Sequence, residues 1–100
     1  MTGLELIALE RQRQINVEGW TPEHDAGHDD EAIAKAAAVY ATPAADRRMT
    51  SGQEPELWPW EPEWYKPTPD DRIRELAKAG ALIAAEIDRL QAGSIEASFA

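Results

Sequence analysis

A charged stretch near residue 25 contains the side chains best suited to metal chemistry. It runs from Glu23 to Asp30 and includes His24, Asp25 and His28. Imidazoles and carboxylates at this density can hold zinc or manganese, whose bound water is the nucleophile of many hydrolases. One hypothesis is therefore a metal site on these two histidines and Asp25. The alternative is a solvated loop whose aspartates cap the next helix and whose histidines form local hydrogen bonds.

Tryptophan is the second residue type that could bind a ligand. Three of the four tryptophans lie in the proline-rich stretch LWPWEPEWYKP, and the fourth, Trp20, follows a glycine in the triplet EGW. Indole faces stack nucleobases, which makes Trp20 and Trp60 candidates for a binding site. The alternative is that these rings fill a core poor in large aliphatic side chains, and we expect this of at least two of them.

Three arginines are candidates for binding an anionic ligand. Arg11 lies on an otherwise apolar helical stripe, and Arg13 follows it. A partly buried guanidinium needs a planar anionic partner, which Glu18, Asp25 or a ligand phosphate would supply. Arg72 comes at the start of a predicted helix, where free backbone N–H groups favour phosphate. For each arginine an ordinary salt bridge is the alternative interpretation.

Hydrophobic spacing and capping residues predict three helices that would position these groups. The first covers 2–17, with a capping box from Thr2 to Glu5 and a stop at Gly19. Leu4, Ile7, Ala8, Arg11 and Ile15 form its predicted inner stripe.

The second predicted helix covers 30–42 and stops at Pro43, with Asp29 or Asp30 as its cap. The third covers 68–92, with Thr68 as the cap, a capping box to Asp71 and a stop at Gly93. Its apolar stripe is the most regular in the chain, which predicts that this helix is the central helix of the core. The stripe consists of Ile73, Leu76, Ala77, Gly80, Ile83, Ala84, Ile87 and Leu90.

These elements predict a mainly all-α fold, a compact three-helix domain with a long Pro/Trp-rich irregular segment between helices two and three. We expect one helical domain over 1–93, a flexible loop at about 43–56 and a frayed tail over 94–100. The alanine-rich apolar content predicts a narrow core, and a narrow core in 100 residues makes homodimerisation a reasonable expectation.

Composition restricts the partners. The net charge of −9 opposes binding to an extended nucleic acid, although a local arginine pair could still hold a small anion. An acidic surface also suits a protein-interaction factor or a DNA mimic. The chain has no cysteine, and no apolar run long enough for a membrane, so we expect a protein of the cytoplasm.

The segments RQRQINVEGWTPEHD, WPWEPEWYKP and DDRIRELAKAG resemble a family of small phage and prophage proteins, and they are weakly similar to the ryanodine-receptor repeat domain. In the resemblance, EGW is Glu18, Gly19 and Trp20, and the charged step that follows is His24-Asp25. The histidine–proline pair that precedes the aromatic segment in that family is absent here. The resemblance implies a sensor of ADP-ribose-like or cyclic nucleotides in the cytoplasm of an infected host cell, where a phage protein could sequester a defence signal.

The resulting hypothesis is a binding module that needs no cofactor and has no catalytic residue. Its predicted pocket lies between the first helix, the EGW loop and the start of the last helix. Six side chains are expected to contact a nucleotide: Arg11, Arg13, Glu18, Trp20, Trp60 and Arg72. The metal-dependent nucleotide hydrolase and the acidic interaction factor remain the alternatives.

Overall fold

Three helices account for most of the computed structural model, which describes residues 1–20 and 31–99 and the side chains as far as residue 92. The prediction of a mainly α-helical, three-helix fold is confirmed. Within the described residues, extended pairing is limited to one isolated antiparallel bridge between Met49 and Pro55. The helices are α1 (Gly3–Glu18), α2 (Ala32–Ala41) and α3 (Arg72–Phe99), with short 3-10 turns at Ala44–Asp46 and Pro62–Trp64.

The ends of α1 follow from local sequence. The Thr2 hydroxyl accepts a hydrogen bond from the Glu5 amide at 3.2 Å, and the Glu5 carboxylate accepts one from the Thr2 amide at 2.9 Å. This reciprocal pair is the predicted capping box. The helix ends where Gly19 takes a left-handed conformation with φ of 73°, which a residue with a Cβ adopts only at a cost. Both predicted ends are therefore confirmed to within a residue.

The helix α2 ends at Ala41, one residue before the predicted end and two before Pro43. Its first turn follows Glu31, which has a left-handed φ of 62° and makes no side-chain cap. The caps predicted at Asp29 and Asp30 lie outside the described residues. The same holds for the proposed metal ligands His24, Asp25 and His28.

The helix α3 begins later and ends later than the sequence predicts. Asp71, and not Thr68, acts as its cap, because an Asp71 carboxylate oxygen accepts from the Arg74 amide at 3.1 Å. At the other end, the helix continues through Gly93 to Phe99. A glycine inside a helix costs only about 1 kcal/mol relative to alanine, and no proline follows Gly93 to force an end.

Both predicted core stripes are right only in part: Arg11 is buried and Ile7 lies against Gly80, but most large aliphatic residues of the two stripes are exposed. On α1 the buried residues are polar, namely Glu10, Arg11 and Gln14, while Leu4 and Leu9 are exposed. On α3 the large residues of the predicted stripe face outward: five aliphatic side chains are between 47% and 67% exposed, namely Ile73, Leu76, Ile83, Ile87 and Leu90. The face that packs inward is instead made of small and charged residues, namely Glu75, Lys78, Ala79, Ala81, Leu82, Ala85 and Glu86.

The core lies between α2, the inner face of α3 and the Pro/Trp-rich segment. Alanines on both helices allow close approach, and Ile33 and Leu82 supply the aliphatic volume. Tyr40 joins this layer to the aromatic segment, with its ring centroid 5.5 Å from that of Trp58 and 6.0 Å from that of Tyr65. The proline-rich segment is thus anchored by ring packing in place of regular backbone hydrogen bonding.

A buried ion pair fixes the segment after α2 against α3. The Arg47 guanidinium donates to both oxygens of Glu75, at 3.1 and 2.9 Å, and both side chains are almost fully buried. Glu75 also accepts from the Thr68 amide at 3.0 Å. Burial acts to raise the pKa of this carboxyl, but the hydrogen bonds from Arg47 and Thr68 outweigh it, so its pKa lies below the ordinary value. The sequence placed Arg47 in a flexible loop and gave no sign of this partner.

Candidate functional site

A cavity of about 600 Å³ opens between the end of α1, the Pro/Trp-rich segment and the inner face of α3. Its size falls within the range of small-molecule sites. Three indoles line it, and Ile33, Leu82 and Ala85 contribute apolar surface from α2 and α3. The described residues that line the cavity are Arg11, Glu18, Trp20, Ile33, Pro59, Trp60, Glu61, Trp64, Leu82 and Ala85.

The end of α1 holds Trp20 in place through its backbone. The Trp20 amide donates to the Gln14 carbonyl at 3.0 Å, and the Trp20 carbonyl accepts from an Arg11 guanidinium nitrogen at 3.0 Å. The left-handed turn at Gly19 makes these contacts possible. Arg11 is only 8% exposed. Its guanidinium stabilises this turn through the bond to Trp20, and the residue also forms part of the cavity wall.

The second wall comes from the proline-rich segment. Trp58 is buried, and its indole N–H donates to the Glu61 carbonyl at 3.0 Å, which sets the turn that carries the outer rings. The Trp60 ring stands at 89° to the Trp58 ring, with centroids 5.4 Å apart. The Trp20 and Trp60 rings form a tilted pair, with centroids 6.2 Å apart and planes at 49°. Trp58 therefore packs in the core, while Trp20 and Trp60 present ring surface to the cavity.

Carboxylates outnumber basic groups along the described wall of the cavity. Glu18 and Glu61 line it, with Arg11 as the basic residue among the described lining. Arg13 lies beside the cavity and is held by carboxylates, at 2.6 Å from Glu10 and 3.3 Å from Glu18. The hydrogen bond that the Arg13 guanidinium donates to Glu10 raises the pKa of Arg13 above its usual range. The local charge thus favours a neutral or weakly charged ring over a polyphosphate.

The structure brings together four of the six predicted contact residues, namely Arg11, Glu18, Trp20 and Trp60. Arg13 is adjacent through Glu18. Arg72 lies elsewhere: its guanidinium donates to the Tyr40 and Ala41 carbonyls at the end of α2 and to Glu75. These acceptors explain its position, because helix C-terminal carbonyls attract cations.

Two further lining residues, Trp64 and Glu61, were not among the six predicted contact residues. Trp64 is 54% exposed on the 3-10 turn Pro62–Trp64, and Glu61 immediately precedes that turn. The signal that could have identified them was their shared position beside Trp60 in one rigid, proline-bounded stretch. Which indole of this stretch packs inward depends on tertiary contacts with Tyr40, so spacing alone did not separate Trp58 from Trp64.

Metal and membrane features can be judged only in the described part of the chain. There, no group of three or more His, Asp or Glu side chains is arranged to hold a metal ion. The proposed ligands His24, Asp25 and His28 fall outside it, so the metal hypothesis stays a prediction. Among the same residues, no helix is long and apolar enough to cross a bilayer.

Comparison with known proteins gives no relative. No protein-family model matches the chain, and no curated protein and no solved structure is significantly similar to it. The resemblance to the ryanodine-receptor repeat domain therefore stays a prediction.

Proposed function

We propose that this protein is a non-catalytic binding module that holds a planar heteroaromatic ring, such as the base of a nucleotide-type signal, in the cavity beside Trp20 and Trp60. The observation that carries the proposal is the convergence of three indoles and one buried guanidinium on a single cavity. A base would stack on an indole face, an interaction worth about 1–3 kcal/mol per ring. Capture of a signal in this way needs no reacting group, which is consistent with a phage anti-defence role.

The charges of the cavity limit how many phosphate groups a ligand can carry. Arg13 is not expected to bind a ligand phosphate, because its guanidinium is already bonded to Glu10 and Glu18. Two carboxylates near the ring would repel further phosphates. The expected order of affinity is therefore a nucleoside, cyclic nucleotide or monophosphate above a diphosphate such as ADP-ribose.

A second candidate is an organic cation with an aromatic or quaternary ammonium group. It is favoured by the combination of three indoles with Glu18 and Glu61, since cations bind over indole faces and near carboxylates. The two candidates differ in the sign of the ligand charge, and one substitution distinguishes them.

The test is isothermal calorimetry with a panel of nucleosides, cyclic and linear nucleotides, ADP-ribose and quaternary amines. We expect Trp20→Ala to weaken the binding of any true ligand by about 10-fold or more. Glu61→Gln should strengthen a nucleotide and weaken a cation, each by several-fold, while the matched change Glu63→Gln, outside the cavity lining, should leave both unchanged. Absence of binding across the whole panel would refute the proposal.

Turnover of a nucleotide that stops on addition of a chelator would instead favour a metal-dependent hydrolase. In that case the proposal fails and attention moves to His24, Asp25 and His28.

A further inference from the structure

The outer face of the helix pair α2–α3 carries apolar surface that the monomer leaves uncovered. Ile83, Ile87 and Leu90 on α3 are each about half exposed, at 49%, 50% and 50%. Ile73 and Leu76 continue the same stripe towards the helix start. Together these five side chains expose roughly 500 Å² of apolar surface, which is at the upper end for the largest patch of a monomeric protein.

The exposed side chains of Ile83, Ile87 and Leu90 form a ridge along α3. Beside this ridge lies a shallow groove with a floor of alanines. The groove has a volume of about 210 Å³, and Ala34, Ala38 and Ala41 of α2 line it opposite Ile83 and Ile87. Alanines leave room between two helices for the side chains of a third. A ridge of isoleucines and a row of alanines therefore stand next to each other on one surface.

One carboxylate in the wall of this groove is neutralised within the chain. Glu86 lies in the groove wall and is bonded to Arg89 one turn later, at 2.6 and 3.2 Å. Both side chains are largely buried, with 7% and 12% exposure. A protein with a net charge of −9 repels a second copy of itself, and the pairing of Glu86 with Arg89 removes one negative charge from that repulsion at this surface.

From these features we infer that the α2–α3 face is a homodimer interface, in which the isoleucine ridge of each copy fills the alanine groove of the other. A two-fold contact uses the same patch on both partners, so it requires a patch that is complementary to itself. The adjacent ridge and groove meet that requirement. The apolar area from two copies comes to about 1,000 Å², the lower bound for a specific interface. The inference is independent of the ligand proposal, because the cavity of that proposal shares none of the residues of the groove.

The effect of salt on association distinguishes a homodimer from a complex with a basic protein. Two copies that each carry −9 repel one another, so added salt should strengthen a homodimer by screening. A complex of this acidic chain with a basic protein would weaken under the same change.

The experiment measures mass by analytical ultracentrifugation from about 1 µM to about 1 mM. We expect the wild type to pass from 11.1 kDa to twice that mass, and to do so at lower concentration in high salt. Ile87→Asp on the ridge and Ala38→Arg on the groove floor should each raise the dissociation constant about 100-fold or more, since each buries two unpaired charges in a two-fold interface. The matched control is Leu57→Asp, because Leu57 is 49% exposed in the Pro/Trp-rich segment and should leave dimerisation unchanged.

Circular dichroism at low concentration checks that each variant keeps its helices. Because the two substitutions lie on different helices, the test still stands if one of the variants misfolds. A wild type that remains at 11.1 kDa across the range would overturn the inference. So would dimers that survive both substitutions, or dimers that Leu57→Asp disrupts equally.

Discussion

The two faces of α3 reverse the usual distribution of residue types. The inner face is rich in alanine and carries Glu75 and Lys78, with Glu86 at its edge beside the groove, all at most 8% exposed, while the outer face carries five aliphatic residues that are 47–67% exposed. The inner charges are tolerated because each has a partner: Glu75 has Arg47, Glu86 has Arg89, and Lys78 donates to the Lys66 carbonyl at 2.8 Å. Burial is therefore decided by available partners as well as by hydropathy.

The largest expected effect is the loss of the buried pair on the inner face. Glu75→Ala should lower the free energy of unfolding by about 3–5 kcal/mol, because it leaves the Arg47 guanidinium buried without its counter-charge. Urea denaturation measures this change. Glu63→Ala, at an exposed glutamate, is the control and should change stability by less than about 0.5 kcal/mol. Equal effects from the two variants would show that the inner face does not depend on this pair.

A direct comparison of the faces comes from two aliphatic truncations. Leu82→Ala, at 2% exposure, should cost about 3 kcal/mol through lost burial and a cavity. Ile87→Ala, at 50% exposure, should cost less than about 1 kcal/mol when measured at concentrations where the chain is monomeric. Thermal and urea unfolding of both variants test this. A cost at Ile87 equal to that at Leu82 would mean that the outer stripe is a core face after all.

The fall in the free energy of unfolding at high pH should depend on Tyr40, which connects the inner face to the aromatic segment. Burial raises the pKa of Tyr40 to about 12 from its ordinary value of 10.0. Because the neutral phenol is favoured in the folded state, its stabilisation is complete below pH 10 and disappears as the pH rises through about 12. We expect a loss of about 1–3 kcal/mol across that window, measured by urea unfolding at a series of pH values. Tyr40→Phe should remove this contribution, and an unchanged pH profile in that variant would refute the assignment.

The smallest effect concerns the point where α1 crosses α3. A Cβ built on Gly80 would lie 2.5 Å from the Cδ1 atom of Ile7, so Gly80→Ala should cost about 1 kcal/mol despite the better helix propensity of alanine. In the Ile7→Ala background the clash is absent, and the same change should stabilise the protein by about 0.5–1 kcal/mol. A double-mutant cycle of unfolding free energies measures the reversal of sign. The same sign in both backgrounds would show that Ile7 does not set the contact.

Much of the candidate site was predictable because it depends on local signals. The EGW triplet indicated a helix end that carries an indole, and the arginine on the apolar stripe indicated a buried guanidinium near it. Four predicted residues lie around one cavity for these reasons. The position of Arg72 was not predictable, because the carbonyls of Tyr40 and Ala41 that bind it come from a helix more than thirty residues earlier in the chain.

By itself, the sequence determined the three helices of the described residues, the capping box of α1, its end at Gly19 and the irregular course of the proline-rich segment. These features depend on contacts within a few residues. Only the tertiary structure decided which face of α3 is buried and which indole packs in the core. Those choices depend on long-range partners, since the Arg47–Glu75 pair and the Tyr40–Trp58 contact draw a polar helix face inward and leave the more apolar face outside.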